Sequence, residues 1–117
     1  WVREDLPVAL EFPGSGEDIR RTIDLDIEGL KVRLISCEDL YLDRMRQATV
    51  AWPREDVSFD SALAIALANY REMDWPYISL AIRAAAKSSP RVGESMKAVS
   101  RRIRARARRA VVAVTMP

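Results

Sequence analysis

Histidine is absent from all 117 residues. That excludes Ser-His and Cys-His catalysis, His-ligated zinc and the simplest general base near neutral pH. Cysteine occurs once, as Cys37. One thiol rules out an internal disulfide and a Cys-based zinc cluster, and it suits a reducing compartment, so a cytoplasmic location is expected. No apolar run approaches the roughly 18 residues of a membrane span, and no signal peptide is visible; a membrane partner is not expected. What remains is ordinary: 49% hydrophobic and 31% charged residues, neither disordered nor fibrous in composition. A chain of this length is one domain and can bury a core without disulfides or metals. It begins at Trp1 and not at Met, which leads us to expect a fragment of something longer.

Charge is divided unevenly. Residues 1–94 carry 12 Lys/Arg against 17 Asp/Glu, a balance of −5, and residues 95–117 carry 7 Lys/Arg and no acid, a balance of +7. A basic segment beside an acidic body is either the electrostatic footprint of a polyanion site or a solvated helix face that offsets the acidic body.

Residues 6–12 read as a short strand, stopped by the Pro13-Gly14-Ser15-Gly16 loop. Residues 22–35 alternate with period 2, and a turn at Glu28-Gly29 folds them into a hairpin. In that register Ile23, Leu25 and Ile27 meet Leu34, Val32 and Leu30 on one face. The other face sets Asp24 against Arg33 and Asp26 against Lys31, so both faces are satisfied at once. Glu28 is a poor first residue for so tight a turn, which leaves a longer loop open.

Four helices should follow. The first is capped by Ser36 and stops before Pro53; the second runs over about 59–73, with Phe59, Leu63, Ala66, Leu67 and Tyr70 on one stripe. Asp74 caps the third, which buries Ile78, Ile82 and Ala85. Ser89-Pro90 opens the last, a basic amphipathic helix over 90–117. Its apolar stripe is Val92, Met96, Val99, Ile103, Ala107 and Val111, with Lys97, Arg101, Arg102, Arg104, Arg108 and Arg109 mostly opposite. Past Arg109 the chain turns apolar, as it would if tucked on the core or used between two copies. The expected fold class is α+β: about three strands, including the 22–35 hairpin, then about four helices, all in a single domain over residues 1–117.

Two features invite a catalytic reading. Gly14-Ser15 followed by Asp24-Leu25-Asp26 has the residue types that polymerase-beta-type nucleotidyltransferases use to hold magnesium and nucleotide phosphates. Here only residues 16–23 intervene, too few for the helix between those parts, and the hairpin already gives both aspartates basic partners. Cys37 could be an activated thiolate at a helix start, but without His and beside Glu38 and Asp39 it reads as an inert small residue. Trp52, Trp75, Tyr70 and Tyr77 read as core, with a base-stacking surface as the alternative.

The order of Val8-Ala-Leu-Glu-Phe-Pro13, the 22–35 hairpin and Ile35-Ser-Cys-Glu-Asp-Leu-Tyr-Leu-Asp-Arg-Met45 resembles the second half of bacterial nucleotidyltransferase-like proteins of the AbiEii type. Ser36, Glu38, Asp39, Leu40, Asp43, Arg44 and Met45 fit the opening of their helix, with Cys37 where Pro is common. Asp74-Trp-Pro-Tyr-Ile78 is similar to a later helix start, so the resemblance covers about residues 6–87. It implies that the Gly-Ser turn and Asp-x-Asp strand lie upstream of Trp1, and that Glu11 alone matches the third metal carboxylate. Glu11 is then the one catalytic and metal-ligating candidate, for a Mg2+ that needs the upstream half. The resemblance thus implies a truncated or degenerate nucleotidyltransferase-like domain, inactive alone. The residues themselves support an alternative: a small binding or regulatory protein, antitoxin-like, that meets nucleic acid or an acidic partner through residues 97–109. Its polyanion-binding candidates are Arg101, Arg102, Arg104, Arg108 and Arg109, and a homo-oligomer is a further expected partner.

Overall fold

The computed structural model describes residues 22–115. In chain order they form β1 (Thr22–Ile27), β2 (Leu30–Ile35), α1 (Cys37–Ala48), α2 (Val57–Asn69), α3 (Trp75–Ser88) and α4 (Pro90–Thr115). The class is α+β, with a sheet of two antiparallel strands among the described residues where about three were expected. The expected strand over residues 6–12, and Glu11 with it, lies outside the described residues.

The hairpin has the register that its alternation dictates. Ile23, Leu25 and Ile27 oppose Leu34, Val32 and Leu30, while Asp24 opposes Arg33 and Asp26 opposes Lys31. The turn has only two residues, and both adopt positive φ, 52° at Glu28 and 85° at Gly29. That is the backbone twist a two-residue turn needs to match its strands. Asp26 supports it, because one carboxylate oxygen accepts the Gly29 N–H at 3.0 Å. Asp24 takes the Arg33 Nε–H at 3.1 Å, as expected. The apolar face remains largely open, with Leu30 at 71% exposure. Among the described residues neither strand packs substantially on a helix.

The helices begin where side chains can replace missing backbone partners. Ser36 Oγ accepts the Asp39 N–H at the head of α1. Asp56 and Asp74 do the same for α2 and α3 through the N–H groups of Phe59 and Tyr77. Pro90 opens α4, where its fixed φ suits the first turn.

The core lies among the four helices. Tyr41 and Met45 of α1, Phe59 of α2, Ile78 of α3 and Met96, Val99 and Ile103 of α4 are its largest fully buried side chains. Small residues, Ala48 on α1 with Ala62 and Ala66 on α2, line the same core. Both the α2 and α4 stripes hold in the main, with Phe59 and Ala66 and with Met96, Val99, Ile103 and Ala107 buried, and each departs from expectation at one end or edge. On α2, Ala62 is buried and Leu67 is 41% exposed. On α4, Gly93 is buried and Val92 faces solvent. The reason is a close approach: a Cβ on Gly93 would stand 2.5 Å from the Ala86 Cα of α3. The α3–α4 contact thus needs glycine's missing side chain, and Val92 is turned aside. The end of α4 is not tucked in, since Val112 and Val114 are exposed.

Candidate polyanion-binding groove

Helix α4 carries its buried stripe, Met96, Val99, Ile103 and Ala107, between two basic flanks. At about 100° per residue, Lys97, Arg101, Arg104 and Arg108 fall within about 60° of arc on one flank. Arg102, Arg106 and Arg109 fall on the other. The fold treats the two differently.

The second flank meets an acid from far along the sequence. Arg106 forms a bidentate pair with Glu55, at 2.6 Å for both N–H···O bonds. Arg102 adds a third bond to the same carboxylate at 3.2 Å. Their guanidinium groups also lie over aromatic rings, Arg102 4.4 Å from the centroid of Trp52 and Arg106 5.4 Å from that of Phe59. The hydrogen bonds from Arg106 hold the Glu55 carboxyl below the usual glutamate range, and Glu55 in turn pushes Arg106 up. Arg102 and Arg106 on this flank are thus engaged by one shared carboxylate.

The first flank faces a groove of about 480 Å³ between α3 and α4. Arg83 of α3 joins Lys97, Arg101, Arg104 and Arg108 around it, and among the described residues no carboxylate lines it. Ser79, Ser100 and Tyr70 line it too, together with apolar Ile82 and Ala105. Lys97 reaches Glu94 at 3.5 Å. Among the described residues no carboxylate forms an ion pair with Arg83, Arg101 or Arg108.

Arg104 is held in place by packing. Its guanidinium lies 4.6 Å from the centroid of Trp75, a cation–π contact that fixes the head without neutralising it. Trp75 is itself braced: its ring meets Tyr41 edge-on at 5.6 Å, and its Nε1–H donates to the Tyr70 carbonyl at 3.0 Å. Tyr70 leans on the same ring at 5.4 Å. The four aromatics singled out in the sequence all pack against the core, but Tyr70 also lines the groove.

Of the five arginines expected to meet a polyanion, the structure gathers Arg101, Arg104 and Arg108 in the groove. It turns Arg102 to Glu55 and leaves Arg109 exposed outside it. Lys97 was within the expected segment, whereas Arg83 was not singled out; nothing in its local sequence marks it, because only the α3–α4 crossing brings it near α4. Ser36, Asp39 and Asp43, singled out in the sequence, have local roles. Ser36 caps α1, Asp39 accepts the Tyr77 hydroxyl at 2.6 Å, and Asp43 accepts a bond from Gln47 and pairs with Arg44 at 3.9 Å. Burial and the adjacent Glu38 carboxylate push the Cys37 thiol up to about 11, away from thiolate chemistry. Among the described residues no cluster of three or more carboxylates or thiols could hold a metal ion, and no helix is long and apolar enough to cross a membrane. Comparison of the chain with protein-family models, with curated proteins and with solved structures gives no match.

Proposed function

We propose that this domain is a binding module for phosphate-rich polyanions, with the α3–α4 groove as its site. One observation carries the reading: the fold pairs Arg102 and Arg106 on one flank of α4 with Glu55 and, among the described residues, leaves the other flank, with Arg83 added, without a lining carboxylate. Like charges gathered in one groove repel, and an anion relieves that repulsion while releasing counterions.

A salt titration of binding tests this. An anisotropy assay with a labelled polyanion should show weak, sequence-independent affinity at about 50 mM salt, falling steeply by about 200 mM. With five cations engaged, the slope of log affinity on log salt should approach about −3.5 for a single-stranded ligand. Replacing Arg101, Arg104 and Arg108 together by Ala should remove about 2 units of that slope. Arg109→Ala should leave it nearly unchanged. Absence of binding at low salt would leave α4 a packing and solubility element.

The truncated nucleotidyltransferase-like reading rests on the sequence resemblance alone, of whose order the described residues include only the hairpin and the Ser36-capped α1. Incubation with labelled nucleoside triphosphates and Mg2+ tests it, and we expect no transfer by this chain alone.

A further inference from the structure

We propose that the groove's ligand is a single-stranded nucleic acid, its phosphates on the α4 cations and one base against Tyr70; this rests on the polyanion reading above. Two adjoining spaces lead there. The basic groove is a row and not a point: Lys97, Arg101, Arg104 and Arg108 recur about once per helical turn of about 5.4 Å. A row of cations suits a chain of repeating phosphates. At the end of the row by Arg108 the wall changes character. Tyr70 borders both the groove and a second hollow of about 370 Å³, lined mainly by apolar Leu67, Ala68, Ala110, Val111 and Val114, with Arg71 and Glu72 also on its wall. The ligand that uses both spaces carries charge along its length and a flat apolar surface beside it.

A nucleic-acid strand with unpaired bases has that composition. Polyphosphate has the charge without an apolar part. A phospholipid has both, but one phosphate per headgroup does not repeat along a row. A duplex keeps its bases stacked inside and cannot offer one to Tyr70. Tyr70 is positioned for the contact, because its ring rests on Trp75 and its carbonyl is held by the Trp75 indole N–H. Arg104, held over Trp75, lines the groove together with Tyr70. Aromatic stacking of this kind tolerates any base, which matches a groove built from charge and ring faces.

The wild-type chain tests the idea without any variant. Three labelled probes of about twelve units are compared by anisotropy at about 50 mM salt: oligothymidylate, the same backbone made of abasic sites, and a duplex. The oligothymidylate should bind about tenfold more tightly than the abasic strand, and more tightly than the duplex. Tyr70→Phe should retain that tenfold preference. Tyr70→Leu should abolish the preference, so that oligothymidylate and abasic strand bind this variant equally. Equal binding of oligothymidylate and abasic strand overturns this inference and leaves the polyanion reading intact. Tighter binding of the duplex, or sedimentation with anionic phospholipid vesicles in place of oligothymidylate binding, also overturns it. No binding of any probe at low salt would remove the polyanion reading itself.

Discussion

Tyr41 is fully buried, yet its hydroxyl is 3.0 Å from Ser100 Oγ, so neither polar atom lacks a partner inside the core. Burial pushes the Tyr41 phenol up to about 12, against about 10 in an unfolded chain. The neutral form is therefore favoured by the fold. Its contribution is complete below about pH 10 and fades as pH rises toward about 12. Tyr41→Phe should cost about 0.5–1.5 kcal/mol in chemical denaturation at neutral pH, and its stability should fall less steeply between pH 10 and 12 than that of the parent. Glu55 has the opposite sign. Arg106 lowers its pKa in the folded state, so its contribution is present above the ordinary glutamate range of about 4.3 and is lost as pH falls through the depressed value. Melting temperatures of Glu55→Gln recorded from pH 7 downward should start below the parent's and converge with them in acid. Parallel curves would show that the Arg106 pair does not stabilise the fold.

At the scale of elements, the hairpin was the most legible part of the sequence. Its register follows from Ile23, Leu25 and Ile27 on one face and Asp24 and Asp26 on the other, because a slip of one residue would exchange the two faces. The helix starts at Ser36, Asp74 and Pro90 were equally legible, since capping is a local bond. The Asp56 cap was missed, which put the start of α2 at Phe59 instead of Val57. What escaped reading is long-range. Periodicity separates the two basic flanks of α4, but nothing local says that Glu55, 51 residues before Arg106, will pair with one of them. Apolar periodicity also favoured Val92 over Gly93, because backbone-to-backbone packing leaves no hydrophobic signal. The turn gives a prediction. Glu28 holds a positive φ, and Asn tolerates that region better than Glu. Glu28→Asn should slow hydrogen exchange at the β1 and β2 amides by a factor of about 2–5, about 0.5–1 kcal/mol of hairpin stability. The helical melting temperature should stay put, as neither strand packs substantially on a helix among the described residues.

Across the whole molecule, the acidic residues of the earlier chain and the basic residues of α4 do not cancel uniformly. Among the described residues, Glu55 of the α1–α2 connection pairs with Arg102 and Arg106, while no carboxylate lines the groove on the α3 side. The groove is therefore as wide as the α3–α4 crossing allows, and that crossing is fixed at Gly93 and Ala86. A methyl group on Gly93 would force the two helices apart, at about 1–3 kcal/mol in stability for overpacking. Gly93→Ala should accordingly melt at a lower temperature and bind polyanions less tightly, although residue 93 does not line the groove. A matching loss of stability made elsewhere in the core, by Ile103→Val, should leave affinity unchanged. Gly93 thus acts as the pivot of a caliper whose jaws carry Arg83 on one side and Lys97, Arg101, Arg104 and Arg108 on the other: one hydrogen atom, kept where every other residue would place a carbon, sets the gauge of the opening.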